Sequence, residues 1–184
     1  ILAFPRMSFP ITDQRKSGWL PPSLKLDSRS GFEVAVPYYW NIAPHRDATI
    51  TPKLATRRGP GVDLEFRYLE PSFTGLVGLD AWPNDLTSGR SRWALRYAQE
   101  GALGSAGGWL QDTRYEIKGV RVSDDDWWKD FPGAVSSFTP RLLAQRAAIE
   151  RPFNLAQGQG LIYARAQQWQ VLQSSDRITS PYQR

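Results

Sequence analysis

The chain has 184 residues, no cysteine and a single histidine, His45, and its 23 Lys and Arg against 18 Asp and Glu give a net charge of +5. That composition excludes a disulfide framework, a thiolate metal site or a centre needing two imidazoles within this stretch, and its interleaved charges argue against nucleic acid as a partner. No apolar run approaches the roughly 18 residues of a membrane helix, so helical spanning is excluded while spanning by strands is not.

Aromatic residues are abundant, with 8 Trp, 7 Tyr and 8 Phe at a low mean hydropathy. Such a mixture points to many half-buried strands or to an interfacial girdle. The chain starts at Ile1 without a Met and stops at Arg184 just after a strand-like run, so the expectation is a piece of something larger.

From about residue 19 the dominant period is two. Over 20–27, Leu20, Leu24 and Leu26 oppose Ser23, Lys25 and Asp27; over 32–40, Phe32, Val34, Val36, Tyr38 and Trp40 share one face. Over 47–57, Ala48, Ile50 and Leu54 oppose Asp47, Thr49, Thr51, Lys53 and Arg57. Leu64, Phe66 and Tyr68 oppose Asp63, Glu65 and Arg67, and Phe73, Val77 and Leu79 oppose Thr74 and Asp80. Trp93, Leu95 and Tyr97 oppose Arg96 and Glu100, and the run 109–118 alternates Trp109, Thr113, Tyr115 and Ile117 with Asp112, Arg114, Glu116 and Lys118. Turn clusters such as "DSRSG", "NIAPHR", "RRGPG" and "PNDLTSGRS" separate these runs, which predicts an antiparallel meander of strands joined by hairpins.

Two segments break the pattern. Residues 139–150, "TPRLLAQRAAIE", carry a helix-start signal in Thr139 and Pro140, so locally helix and strand are nearly balanced. Residues 123–138 have no period and read as a long loop. The alternation itself fits two architectures: a soluble sandwich with one wet face, or a membrane barrel with lipid outside and a wet lumen. The densely and oppositely charged polar face, the Trp and Tyr that end the apolar face, and the alternation of short turns with longer loops favour the barrel. A secreted carbohydrate-binding sandwich is the alternative.

No catalytic constellation is present. Asp124, Asp125 and Asp126 are consecutive and lack the glycine spacing of a calcium loop, so a solvated loop explains them better than a metal site. Carboxylates such as Glu65 and Glu116 sit in strands with basic neighbours, and the glycine clusters follow no phosphate-loop pattern. No cofactor is implied. Three prolines, Pro37, Pro44 and Pro52, punctuate the otherwise strand-like "VPYYWNIAPHRDATITP", although proline cannot donate to a sheet ladder.

The wording of the sequence adds to its period. "FPITDQRKSGWLPPS", "FEVAVPYYWNIAPHRDATITP", "RRG" and "EFRYL" occur in that order across residues 4–69 and resemble the LptD family of lipopolysaccharide-assembly proteins of the Gram-negative cell outer membrane. A looser likeness in "SRSRW", in "VSD" before an aromatic "DF" loop and in "QQWQV" stays collinear to about residue 175.

The resemblance implies a periplasmic jelly-roll ending at about residue 12, a hinge over 13–18, and over 19–184 the first eight or nine strands of a large transmembrane barrel. It implies strand over 139–150, because a helix in the wall would leave neighbouring strand edges unpaired in lipid. It also implies transport without catalysis: lipopolysaccharide, received from the periplasmic bridge protein LptA, passes into the outer leaflet through a laterally opening barrel plugged by the lipoprotein LptE. By position the lateral-gate prolines correspond to Pro22 and Pro37, with Pro21 a departure from the family form. Lys25, Lys53, Arg57, Arg67 and Arg96 are candidates for lumen contacts with lipopolysaccharide phosphates, against ladder pairing with Asp47, Asp63, Glu65 and Glu100.

Overall fold

The computed structural model describes residues 15–104, 108, 110–131 and 141–172. The segment expected to close a jelly-roll, 1–12, therefore lies outside the described residues, as do the first two residues of the expected hinge.

The alternating runs become strands. They are β1 (Gly18–Trp19), β2 (Ser23–Asp27), β3 (Gly31–Ala35), β4 (Tyr38–Ala43), β5 (Arg46–Ala55), β6 (Gly59–Leu69), β7 (Phe73–Asp85), β8 (Arg90–Leu103), β9 (Thr113–Val122), β10 (Leu142–Leu155) and β11 (Gly158–Val171). The architecture is all-β: one antiparallel sheet in the order β1-β4-β5-β6-β7-β8-β9-β10-β11, with β2 on β3 and β3 on β5. Among the described residues the only helix is α1, a single turn at Trp127–Asp130.

The described residues form two compact units. The first takes residues up to Tyr68 together with Gly78–Trp93; the second takes Leu69–Val77 and the residues from Ala94 onward. In the first unit the register places Leu24 opposite Val34 and Val34 opposite Leu54, so apolar side chains line one face across three strands. Lys25, Glu33, Asp47, Lys53, Asp63, Glu65 and Arg67 take the other face. The apolar face is open: Leu26 is 80%, Leu24 67% and Leu54 60% exposed. On the polar face Asp47 is only 5% exposed, the reverse of a domain that folds around an apolar core.

In the second unit Arg146 faces Lys118, Glu150 faces Arg114 and Ile149 faces Tyr115, so the same two-sided pattern continues through β9 and β10. Two expectations are resolved here. Residues 142–150 are strand: fourteen residue pairs link β10 to β11 and six link it to β9, so ladder pairing on both sides overrides the helix propensity of "LLAQRAAIE". The run 109–118 enters its strand only at Thr113, because Leu110–Asp112 form a turn in which Asp112 adopts φ 61°, a left-handed conformation incompatible with the ladder. The segment 123–131 contains α1, and Asp124 is used locally: its Oδ1 accepts from the Asp126 N–H and its Oδ2 from the Ser123 hydroxyl.

A glycine in β6 makes room for the main packing contact of the polar face. Trp82 is 1% exposed, and a Cβ at Gly61 would lie 2.7 Å from its ring. The indole covers the glycine backbone, replacing the side chain that a strand residue otherwise packs. Gly61→Val therefore forces Trp82 from its place at an overpacking cost of about 1–3 kcal/mol. The expected outcome is a lower urea midpoint by tryptophan fluorescence; equal midpoints for wild type and Gly61→Val would contradict it.

Candidate functional site

The first two strand runs do not pair continuously. β1 meets β4 through two residue pairs, Gly18 with Tyr39 and Trp19 with Tyr38, and β2 meets β3 from Ser23 opposite Ala35 onward. Three residues, Leu20, Pro21 and Pro22, fill the gap on one side, but only Val36 and Pro37 fill it on the other. The register thus slips by one residue across this seam, the signature of a bulge.

Beside this gap the neighbouring ladder shows no slip; its register shifts only farther along, between Asn41 and Ala43. β3 and β4 both pair with β5 in one common register, since Ala35 faces Lys53 and Tyr38 faces Ile50. Val36 is accordingly opposite Pro52 and Pro37 opposite Thr51. The whole irregularity is confined to the first strand's side.

Main-chain donors explain why the gap does not close. Of its five residues, Pro21, Pro22 and Pro37 have no N–H. Val36 spends its N–H on the Pro52 carbonyl at 3.2 Å, on the β5 side. Leu20 is left to donate across the seam, to the Pro37 carbonyl at 2.8 Å. That bond also orients Pro37: its backbone faces the first strand, so the donor it lacks is missing from this seam. The reciprocal bond that an antiparallel pair would exchange cannot form, forgoing about 0.5–1.5 kcal/mol. Pro52 has a place too, as the acceptor that draws Val36 away.

Either end of the seam is fastened. At β1, the Trp19 and Tyr38 rings meet edge to face with centroids 5.1 Å apart, the Asn41 N–H donates to the Ser17 hydroxyl at 2.9 Å, and the Asn41 side-chain amide donates to the Arg15 carbonyl at 2.8 Å. Arg15 also pairs with Asp47 at 3.3 Å, and Asp47 accepts from Arg67 at 2.7 Å and from the Tyr39 hydroxyl at 3.3 Å. At the far end, Asp27 Oδ1 accepts the N–H groups of Arg29 and Ser30, closing the β2–β3 turn. Ser30 is joined to the next hairpin through the Arg57 N–H to its carbonyl at 3.1 Å and Arg58 Nε to its hydroxyl at 3.2 Å.

Arg58 belongs to an ion cluster that sequence reasoning missed. Its Nη1 donates to Asp85 Oδ2 at 2.9 Å, and Arg92 Nη1 approaches the same oxygen at 3.5 Å. Arg58 and Asp85 are wholly buried and Arg92 is 1% exposed. Asp85 also accepts the Ser88 hydroxyl at 2.9 Å and the Thr87 N–H at 3.2 Å. Three hairpin tips, around Ser30, Arg58 and Asp85, are thereby locked together. In the sequence Arg58 and Asp85 sit inside "RRGPG" and "PNDLTSGRS", which composition marks only as turns, and Arg92 directly follows the second of these.

The candidate basic residues separate. Arg67 pairs with Asp47 and lies 3.9 Å from Glu65, the expected ladder. Lys53 pairs with Asp80 at 2.9 Å, with its ammonium 5.5 Å from the centre of the Trp82 ring. Lys25 pairs with Asp27 of its own strand and is largely exposed. Arg57 departs from the expectation: β5 ends at Ala55, so Arg57 lies in the turn, where it donates to the Ser28 carbonyl, and is no wall residue. Arg96 stands apart from these four, in the second unit beside Lys118 and Arg146.

No protein-family model matches the chain. Curated relatives do. LPS-assembly protein LptD of Acidovorax sp. (strain JS42) is 45% identical over 192 residues, which cover 100% of this chain and 23% of the relative. The chain matches a segment of LPS-assembly protein LptD. The protein of that name from Polaromonas sp. (strain JS666 / ATCC BAA-500) is 44% identical over 187 residues, 100% of this chain and 22% of the relative. LptD of Nitrosomonas eutropha is 38% identical over 184 residues, 99% of this chain and 25% of the relative. The chain thus spans about a quarter or less of the LptD relatives it matches. The similarity is collinear over the whole chain, including the part beyond residue 90 where recognisable words are sparse.

The buried cluster yields a stability prediction. Asp85→Asn leaves Arg58 and Arg92 without their shared carboxylate, and breaking a buried pair costs about 3–5 kcal/mol. Lys25→Ala removes an exposed pair worth about 0–1 kcal/mol. A urea titration of the two variants should show a large drop in midpoint for Asp85→Asn and almost none for Lys25→Ala; comparable midpoints would contradict the assignment.

Proposed function

We propose that this chain is part of the wall of a transmembrane β-barrel in the Gram-negative outer membrane, and that the barrel assembles lipopolysaccharide into the outer leaflet by opening sideways beside its first strand. The supporting observation is the seam: a bulge with two prolines facing a strand whose Pro37 lacks the return donor. A seam with missing donors parts at lower cost than a full ladder.

Two further features support the wall. Strands β5 to β11 run 10 to 14 residues, long enough to cross a hydrocarbon core when tilted. Large apolar side chains stand open on one face while charged ones are paired on the other, the polarity of a sheet between lipid and a wet lumen. A carbohydrate-binding sandwich would bury Leu24, Leu26 and Leu54. The role is assembly and transport without catalysis, in keeping with the relatives' printed name.

On this reading Pro22 and Pro37 form the lateral gate, residues before Gly18 lead in from a periplasmic jelly-roll, LptA delivers the lipid and LptE fills the lumen. Lys25, Lys53, Arg67 and Arg96 are lumen cations. The gate is tested by Pro22→Ala and Pro37→Ala in the full-length protein. Restored donors strengthen the seam, so lipopolysaccharide should reach the surface more slowly and cells should become more sensitive to large antibiotics. Unchanged surface lipopolysaccharide together with unchanged sensitivity would refute the gate.

A further inference from the structure

We propose that the polar face of the second unit holds an anion subsite, built from Arg96, Lys118, Arg146 and Gln167, for a carboxylate or phosphate carried on a saccharide. It rests on the reading above, which brings such a molecule to this face, and it adds where on the wall the charged group is held.

The register creates the site. Lys118 on β9 lies directly opposite Arg146 on β10, and Arg146 directly opposite Gln167 on β11. Arg96 on β8 faces Val120, one step along the same face of β9 from Lys118. Two like charges in one cross-strand pair repel, a cost that a sheet avoids unless a counter-charge is nearby. One is: Glu116 pairs with Lys118 and accepts from Arg146 Nη2 at 2.5 Å. A single carboxylate shared by two cations does not use all their donors, and Arg146 Nε is buried without an acceptor among the described residues.

A cavity of about 320 Å³ opens beside this pair. Its walls include the three cations and the Gln167 amide, with Leu76 and Ala144 as apolar floor, and no carboxylate lines it. Glu116 and Glu100 lie one step away along the strands, facing each other across β8 and β9, and line a second cavity of about 730 Å³. The face is therefore banded, acidic on one level and basic on the next. A saccharide with an anionic substituent fits the basic level, where guanidinium and ammonium groups give charge-assisted hydrogen bonds to its oxygens. A neutral sugar forgoes the charge-assisted part of that binding, and the neighbouring acidic band disfavours a second anionic group directly beside the first.

The test is photocrosslinking in cells producing the full-length protein. A p-benzoylphenylalanine is placed at Ala144, in the cavity, and separately at Leu20, at the seam. The subsite requires a lipopolysaccharide adduct at Ala144 that falls about tenfold when Arg96 and Arg146 are changed to Gln and is kept in Arg146→Lys, with the Leu20 adduct unchanged. On the unsubstituted wall in detergent, inorganic phosphate should suppress the Ala144 adduct and spare the Leu20 adduct, which tests the site even where the Gln variants fold poorly. Lipopolysaccharide lacking core phosphates narrows the anion: loss of the adduct assigns a core phosphate, retention assigns another anionic group on the saccharide. An adduct at Leu20 with none at Ala144, or one at Ala144 indifferent to both neutralisation and phosphate, overturns the subsite and leaves the transport reading standing. Adducts at neither position overturn both.

Discussion

Every strand in this molecule depends on one accounting rule: a main-chain N–H that points at a neighbour must find a carbonyl there. The rule holds along β5–β6 and β8 through β11, where the registers run unbroken. At the seam the sequence leaves carbonyls without donors instead. At the gap between the β1–β4 and β2–β3 ladders, three of the five residues, Pro21, Pro22 and Pro37, carry no N–H and a fourth donates elsewhere, so the sheet slips there by one residue. Geometry there follows from the chemistry of the pyrrolidine ring and needs no other cause.

The weak seam is bounded by strong fastenings of two kinds. At the hairpin tips a buried carboxylate holds two guanidinium groups, an arrangement that is costly to desolvate and costlier to break. Near β1 the fastening is a half-exposed network centred on Asp47, together with one aromatic pair. The two-residue strand β1 is thus held by fewer and more solvated contacts than the β2–β3 hairpin beyond the bulge.

Much of this was legible in the sequence, for a physical reason. Period-two patterning reports which face each residue takes, so the meander, the two faces and the pairing of Arg67 with Asp47 could be read from it. The strand at 142–150 was not readable locally, because "LLAQRAAIE" favours helix and the deciding hydrogen bonds come from β9 and β11, remote in sequence. Arg58, Asp85 and Arg92 stayed hidden for a related reason: turns are read as exposed, and only the stacking of three tips buries them. Arg57 was misplaced by two residues, since alternation continues past the point where β5 ends. The direction in which Pro37 lacks its donor required the partner of Leu20 to be known.

The network around Asp47 also sets where a pull on the chain would land. Residues ahead of β1 are attached through the Arg15 guanidinium and carbonyl to Asp47 and Asn41, on β5 and β4. Tension arriving from the preceding segment is therefore borne by the second and third strand runs, as a cable clamp takes load off a terminal. Gly18 and Trp19 lie behind that clamp, paired with Tyr39 and Tyr38, so a pull from upstream meets β4 and β5 before it reaches the seam.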